Sequence, residues 1–360
     1  MTGIADGVGR TGGAMSFVDP AVPGQVNIEF SSRASLRLRA ANAVLRAILR
    51  PGLHAVCVAG ESPLLRGDRA FRIANRVDVF AAPLRPARGT RREMVRFDDF
   101  RAEWLWHRDD PGPGEIEHGA ILYFHGGGFV AGGLNSHRRH AARIGRTAGL
   151  PVLNVDYRQL PEGHITDTVD DALTAYRYLL DGGRAPERIV FAGDSAGGGL
   201  VFMAALAARA RGMALPAGLM AIAPFADLDP AIRFAHPNDR TDSMLSARAL
   251  SIPALIGFAR DGVLDPAWSP VNHDFTGMPP TLIQVSDIEV LLPDSEALAE
   301  RCAEAGVPHT LQLWNNAIHV FQAGADLLPD ARAAVAEIGT FIRGVIDSHA
   351  GGFADRTTAA

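Results

Sequence analysis

One stretch of this 360-residue chain, residues 188–206 (RIVFAGDSAGGGLVFMAAL), constrains the fold more than any other. It begins with a short apolar run that is typical of a strand buried on both faces. G-D-S-A-G follows at once, and an apolar, alanine-rich segment typical of a buried helix comes next. A serine in this position sits on a strained turn, so its neighbours must be small. The pattern predicts that Ser195 is a nucleophile raised above a sheet edge. For the serine alone, a turn or a helix N-cap is the alternative.

A second glycine-rich segment, H-G-G-G at residues 125–128, follows an apolar run at residues 120–124 that is typical of a buried strand. Acyl transfer needs backbone N–H groups aimed at the carbonyl oxygen as that oxygen gains negative charge. Glycines let the backbone approach the oxygen, because no Cβ atom stands in the way. A glycine triplet alone is typical of a flexible turn, but upstream of G-D-S-A-G it favours a site for acyl transfer.

Together the two motifs resemble the hormone-sensitive-lipase-like branch of the α/β-hydrolases, over about residues 104–345. The resemblance extends to three shorter segments: Asp156-Tyr157-Arg158, Pro161-Glu162 and Pro279-Pro280. It implies an α/β-hydrolase fold, in which a mostly parallel central sheet is flanked by helices. It also implies a helical cap over the site, built from the N-terminus and from an insertion.

On this basis the chain divides into six segments. They are a flexible tail (1–30), N-terminal cap helices and a linker (31–100), the first part of the core (101–227), the cap insertion (228–265), the second part of the core with the triad acid and histidine (266–347), and a flexible tail (348–360).

The first cap helix is predicted from Ser32 to Arg50, and Pro51 is expected to end it. Its apolar residues recur with helical spacing on one face, which we expect to pack over the core; they are Leu36, Ala40, Ala43, Val44, Ala47 and Ile48. Because the other faces carry arginines, a helix lying on a membrane surface is the alternative.

An activated serine needs a base within hydrogen-bond reach, and the base needs an acid that holds its tautomer. In this fold the order along the chain is serine, acid, histidine. We predict that His319 is the base, because it follows the last strand, where the family places its histidine. His309 opens that strand, and His273 precedes the acid, so both are weaker candidates.

The acid lies just after the strand at residues 281–286. Matching the family's D-x-L pattern onto Glu289-Val290-Leu291 places Glu289 in the acid position. Asp287 stands two residues earlier, and alternation alone does not separate the two carboxylates. We predict Glu289 and keep Asp287 as the alternative.

The resemblance implies a serine carboxylesterase that hydrolyses small to medium carboxylic esters through an acyl-enzyme, without metal or organic cofactor. We expect the N–H groups of Gly127, Gly128 and Ala196 to form the oxyanion hole. His125 should order the glycine loop through hydrogen bonds, and Asp194 should fix the serine's turn. A lactonase or an acyltransferase could use the same triad, and a receptor that binds a small ligand without turnover is a further alternative.

Composition and charge limit the kinds of chemistry, partner and cellular location that this chain can have. The net charge of −5 gives no reason to expect nucleic acid as a partner. All 35 Lys and Arg residues are arginine, which excludes Schiff-base and Ser-Lys chemistry. Cys57 and Cys302 form neither a disulfide framework nor a zinc set. The sequence has no apolar run long enough to span a membrane and no secretory signal, so we expect a cytoplasmic protein. The expected partner is a small ester or lactone substrate, and a homodimer is possible.

His137 and His140 have a spacing that permits a metal pair. No third ligand lies near them in the sequence, and Arg138 and Arg139 stand between them. We therefore predict a solvated helix face and no metal site.

Overall fold

The computed structural model describes residues 24–60 and 68–357, and within them nine strands form one sheet. The strands are β1 (Ile28–Phe30), β2 (Thr90–Arg96), β3 (Arg101–His107), β4 (Ala120–Phe124), β5 (Val152–Asp156), β6 (Ile189–Asp194), β7 (Gly218–Ile222), β8 (Thr281–Ser286) and β9 (His309–Trp314). Their order across the sheet is β1-β9-β8-β7-β6-β4-β5-β3-β2. Neighbours are parallel except for the β2–β3 and β3–β5 pairs. The predicted mostly parallel sheet is confirmed.

Helices connect and cover these strands. They are α1 (Leu36–Gly60), α2 (Asp68–Asn75), α3 (Val77–Phe80), α4 (Leu134–Ala148), α5 (Ile165–Asp181), α6 (Ala196–Ala210), α7 (Ala231–Ala235), α8 (Asn238–Thr241), α9 (Ala247–Ile252), α10 (Leu292–Glu304) and α11 (Pro329–Thr357). Helix α4 packs against α11, and α5 packs against α6. Every residue of β4, β6, β7 and β8 is buried, so the sheet centre is covered on both faces. None of the helices described combines the length and apolarity needed to cross a bilayer.

The strand order places two pairs of loops side by side at the carboxyl edge of the sheet. Phe124 at the end of β4 pairs with Gly193 on β6, so the glycine loop lies beside the turn that carries Ser195. Ser286 at the end of β8 pairs with Trp314 at the end of β9. In open α/β sheets, ligands bind beyond the carboxyl ends of strands where the strand order reverses. The sheet thus gathers all the predicted site segments at one edge.

The prediction that Pro51 ends the first helix is wrong, because α1 continues through Pro51 to Gly60. Proline removes one hydrogen bond and strains the preceding turn, but its fixed φ is compatible with a helix. The turn before it is anchored by tertiary contacts, since the Arg50 guanidinium donates to the backbone carbonyls of Asp239 and Asp242. These contacts stabilise the helix beside the position where the proline cannot donate a backbone hydrogen bond.

The predicted buried face of α1 is also wrong. Leu36 and Ile48 are 75% and 72% exposed, whereas Leu38, on the opposite side of the helix, is 1% exposed. Asn42 lies on the buried side too, where its amide donates to the carbonyls of Asn316 and Ala317. Because the buried side carries this asparagine, the apolar pattern favoured the other side.

The chain ends also differ from the prediction. Residues 28–30 form β1, which pairs with the edge strand β9, and α11 extends to Thr357 where a tail from residue 348 was expected. A three-residue strand is too short to show an alternating pattern, so sequence reasoning missed it. The tail prediction for residues 1–23 lies outside the described residues.

Residues 228–265, the predicted insertion, contain helical elements and none of the nine strands. The insertion contains α7, α8, α9 and a π-helix at Pro253–Phe258. Its fully buried Arg233 pairs with Asp294 on α10, at 2.8 Å between Nη1 and Oδ1. Helix α1 contacts α9, so the N-terminal segment and the insertion meet. A shared cap over the site stays a prediction.

The two faces of α1 allow a matched test. Leu38→Ala should lower the free energy of unfolding by about 2–5 kcal/mol, because it removes a buried side chain. Leu36→Ala makes the same chemical change on the exposed face and should alter it by less than about 0.5 kcal/mol. Urea denaturation followed by circular dichroism measures both. Equal effects would contradict this packing of α1.

Candidate active site

Ser195 lies between β6 and α6 with φ 53° and ψ −120°, a left-handed conformation that is rare for a residue with a side chain. Three hydrogen bonds hold this backbone in place. The Ser195 N–H donates to the carbonyl of Ile222 at 2.8 Å, and the Ser195 carbonyl accepts from the N–H groups of Gly199 and Phe225 at 3.0 and 2.9 Å. The predicted strained turn is present.

The small residues around Ser195 are required by close backbone approach. A Cβ atom at Gly197 would overlap the carbonyl oxygen of Phe124, and one at Gly193 would overlap the carbonyl oxygen of Gly197. The end of β4 therefore packs directly on the first turn of α6. This contact brings the loop after β4 against the serine.

The glycine loop, residues 125–133, turns back on itself through left-handed residues. Gly127, Gly128 and Phe129 have φ values of 127°, 65° and 62°. Within residues 24–60 and 68–357, no acceptor receives the N–H of Gly127 or Gly128. The N–H of Ala196, the first residue of α6, has no intrahelical acceptor either. These groups could donate to a ligand oxygen.

His125 is buried at the start of the glycine loop. Its Nδ1 donates to the carbonyl of Gly126 at 2.7 Å, and its ring stacks on Tyr157 with centroids 4.4 Å apart. The Tyr157 hydroxyl in turn donates to the His125 carbonyl at 2.6 Å. The hydrogen bonds expected of His125 are present, and Tyr157 adds a support that the sequence did not indicate.

His319 and Glu289 meet across the loops that follow β9 and β8. His319 Nδ1 lies 2.7 Å from Glu289 Oε2, and both side chains are buried. The second oxygen of Glu289 accepts the N–H of Ser286 at 3.1 Å. The weaker candidates bond elsewhere: His309 donates to the carbonyl of Val307, and His273 contacts the carbonyl of Ala267.

Asp287 has a different place from Glu289. Its carboxylate accepts the side-chain amide of Asn315 at 2.8 Å and the N–H of Asn316 at 2.7 Å. Both donors belong to the loop that carries His319. Asp287 therefore holds the backbone of that loop, while Glu289 contacts the imidazole.

Burial and charge shift the protonation of the pair in definite directions. Burial disfavours the charged imidazolium, but the hydrogen bond and negative charge of Glu289 outweigh it, so the pKa of His319 lies above its usual value. Burial raises the pKa of Glu289, and the contact with His319 opposes that rise. The carboxylate thus favours a proton on His319.

Two residues of the insertion, Asn238 and Asp242, hold the turn that carries Glu289. The Asn238 amide donates to the carbonyls of Asp287 and Glu289 at 3.0 Å each. The buried Asp242 carboxylate accepts the N–H of Val290 at 2.9 Å. Sequence reasoning missed both, because no motif links the insertion to a turn about 50 positions away.

The prediction of a solvated helix face around His137 and His140 is wrong. His140 and Arg138 are 4% and 7% exposed, and the His137 side chain is 17% exposed. Helix α4 packs between the sheet and α11, which buries polar residues of this helix. Arg138, for example, pairs with the fully buried Glu103 on β3 at 2.9 Å.

Comparison with known proteins agrees with this architecture. The sequence matches the family described as alpha/beta hydrolase fold over residues 121–323. It is 40% identical over 274 residues to esterase LipU of Mycobacterium tuberculosis. That alignment covers 74% of this chain and 91% of LipU. The sequence is 38% identical over 279 residues to carboxylesterase/phospholipase LipF of the same organism, covering 74% of this chain and 73% of LipF.

A solved structure is similar as well. An esterase from the bacterial hormone-sensitive lipase family aligns with a TM-score of 0.74 at 32% identity, covering 88% of this chain and 100% of that one. The predicted fold class is confirmed. From the family match, the identity to its relatives and the shared architecture, we conclude that the chain belongs to the α/β-hydrolase family, in its hormone-sensitive-lipase-like group of carboxylic ester hydrolases.

Proposed function

We propose that this protein is a serine carboxylesterase in which Ser195, His319 and Glu289 form the catalytic triad. The observation that carries the proposal is the 2.7 Å hydrogen bond from His319 to the buried Glu289, at the sheet edge where the strained Ser195 stands. An acid bound to Nδ1 selects the tautomer whose Nε2 accepts a proton. A serine on a strained turn, together with an imidazole held by a buried carboxylate, supplies the groups that acyl transfer uses.

In the proposed reaction, Ser195 Oγ attacks the carbonyl carbon of the ester while its proton passes to His319 Nε2. The π electrons of the carbonyl move onto its oxygen, which accepts hydrogen bonds from the N–H groups of Gly127, Gly128 and Ala196. His319 then protonates the leaving alcohol as its C–O bond breaks. Water adds to the acyl-enzyme by the same route and releases the acid. These steps balance without a metal or organic cofactor.

Small to medium carboxylic esters are the proposed substrate class. The names of the relatives support it, since LipU is called an esterase and LipF a carboxylesterase/phospholipase. A lactone, or an alcohol acceptor in place of water, would use the same three residues. A panel of graded esters, lactones and alcohol acceptors therefore measures which of these the protein prefers.

The first test concerns the nucleophile. Wild-type protein should release nitrophenol from a short-chain nitrophenyl ester, and Ser195→Ala should lower kcat by about 10⁴-fold or more, because the covalent route is lost. Stopped-flow absorbance measures the burst and the steady state. Tight ligand binding by the wild type without turnover would instead favour a receptor.

The second test separates the two carboxylates. Glu289→Gln should lower kcat by about 10³- to 10⁴-fold, because the imidazole loses the acid that orients it. Asp287→Asn keeps an acceptor for the Asn316 N–H and should cost about tenfold or less. Steady-state kinetics of both variants, with an unfolding curve for each, decides whether Glu289 or Asp287 is the triad acid. A larger loss in Asp287→Asn would assign the acid to Asp287.

The pH profile gives an independent readout of the same pair. Only neutral His319 can accept the serine proton, so kcat/KM should fall on the acid side. Glu289 raises the pKa of His319 above 6.5, and this acid limb should therefore lie above pH 6.5 in the wild type. In Glu289→Gln the limb should move to lower pH, whereas in Asp287→Asn it should stay in place. An unmoved limb in Glu289→Gln would contradict the assignment.

The glycine loop provides a steric test. A Cβ atom at Gly126 would overlap the Asp194 carboxylate and lie 3.0 Å from the Ser195 Cβ. Gly126→Ala should therefore displace the loop and lower kcat by about 100-fold. Gly114→Ala is the matched control, because nothing lies within 4 Å of its added Cβ. Equal kinetics for the two variants would exclude a role for the loop's position.

The remaining expectations concern location and assembly. A cytoplasmic location and a homodimer stay predictions, and light scattering of the purified chain measures the second. Neither nucleic acid nor a membrane takes part in the proposed reaction.

A further inference from the structure

A cluster of buried and partly buried titratable side chains lies directly behind the turn that carries Ser195 and takes no part in the steps above. Its members come from β4, the glycine loop, α4, the position after β5, and β6. They are Tyr123, His125, His137, His140, Tyr157 and Asp194.

Asp194 is the centre of this cluster and immediately precedes Ser195. Its Oδ1 accepts the Tyr123 hydroxyl at 2.6 Å, and its Oδ2 lies 3.4 Å from His137 Nε2. The same Oδ2 lies so close to Gly126 that a Cβ there would overlap it. Asp194 thus touches the glycine loop from the base of the nucleophile's turn, and His137 is its cationic neighbour.

The hydrogen-bond pattern defines the protonation of His137. Its Nδ1 lies 2.9 Å from Ser136 Oγ, and that hydroxyl lies 2.7 Å from Asp78 Oδ1. A carboxylate only accepts, so the Ser136 hydroxyl gives its single proton to Asp78 and must accept one from Nδ1. Nε2 lies 3.4 Å from a carboxylate oxygen of Asp194, which is also an acceptor. Acceptors thus face both ring nitrogens, and this arrangement favours the imidazolium form of His137.

The surrounding charges agree with this protonation. Burial lowers the pKa of His137, but the neighbouring Asp194 carboxylate outweighs it, and the pKa lies above 6.5. Burial lowers the pKa of His125, and it lowers that of His140 to about 4, so both are neutral at pH 7. Three charged groups outside the cluster face it: Asp78 on α3, Asp156 at the end of β5 and Arg143 on α4. Burial raises the pKa of the cluster's two tyrosines well above 10.

We propose that His137 is a positioning residue of the esterase reaction, held as an imidazolium between Asp194 and Ser136, and that it fixes the glycine loop relative to the nucleophile's turn. The inference rests on the proposed function, since the loop and the turn supply the oxyanion hole. Gly127 and Gly128 come from one segment and Ala196 from another, and their N–H groups must aim at one oxygen. His137, on the helix that follows the glycine loop, joins the two segments.

Loss of the His137 charge would leave Asp194 buried without its cation. A buried carboxylate that loses its partner moves towards water or takes up a proton. Either change shifts Gly126, which lies against that carboxylate. Because a misplacement of about 1 Å can cost about 100-fold in rate, the reaction is sensitive to this contact.

The sign of the pH effect follows from the raised pKa. The imidazolium is present below that value and is lost as pH rises through it. Positioning by His137 should therefore weaken on the alkaline side, opposite to the limb expected from His319.

The first measurement uses the wild-type chain and needs no turnover. In ¹⁵N-labelled protein at pH 6.5, the His137 signals, assigned by their absence from His137→Gln, should report two protonated ring nitrogens. A wild-type protein in which His137 has one protonated nitrogen at pH 6.5 overturns the proposal. This result stands even if a variant fails to fold.

The second measurement uses kinetics with nitrophenyl acetate. His137→Gln keeps a donor towards Asp194 without the charge, and kcat should fall about 10- to 100-fold with KM within about threefold. Its alkaline limb should disappear. His137→Lys restores a cation and should recover part of kcat, with the alkaline limb moved to higher pH because lysine titrates near 10.4.

His140→Gln is the matched control, because His140 is buried on the next turn of α4 without a hydrogen-bond partner among the described residues. It should lower stability yet keep the kcat and pH profile of the wild type. Wild-type kinetics in His137→Gln, or an equal kcat loss in His140→Gln, overturns the positioning role. If Ser195→Ala keeps full activity, the proposed function itself fails, while the nitrogen signal still reports the imidazolium.

Discussion

The left-handed backbone of Ser195 is the constraint on which the rest of the site depends. Three hydrogen bonds to the segments around Ile222, Gly199 and Phe225 hold it there, and they offset strain that a non-glycine residue otherwise avoids. The same turn requires bare backbone at Gly193 and Gly197, because the end of β4 packs on it. That contact brings the glycine loop beside the serine, so the same packing of β4 on α6 positions both Ser195 and the candidate oxyanion donors.

Two buried carboxylate–histidine pairs flank this turn, and their hydrogen bonds suit opposite tasks. Glu289 contacts only Nδ1 of His319, which suits a base that gains and loses a proton at the other nitrogen. His137 faces acceptors at both nitrogens, which suits a histidine that keeps its charge. Both carboxylates are buried, so each interaction acts in a low-dielectric surrounding where it is strong. The difference between the two imidazoles lies in what faces the second nitrogen.

The segments outside the sheet contribute polar contacts to the site. Asn238 and Asp242 of the insertion satisfy the backbone of the turn that carries Glu289, and Asn42 of α1 satisfies carbonyls in the loop that carries His319. Buried backbone groups without partners are costly, so these side chains stabilise the turns that carry Glu289 and His319. A change in the insertion can therefore reach the chemistry through backbone hydrogen bonds as well as through the shape of a pocket.

Local patterns in the sequence predicted the strands, the turn at Ser195, the glycine loop and the loop of His319. Strand periodicity and the need for small residues at a tight turn are properties of a few consecutive residues. Only the tertiary structure separated Glu289 from Asp287, because the two stand two residues apart in one loop and the distinction depends on which of them meets an imidazole 30 positions away. It also decided the buried face of α1 and the place of His137. An apolar stripe or a polar run does not encode the surface it will meet, and that surface is built from distant parts of the chain.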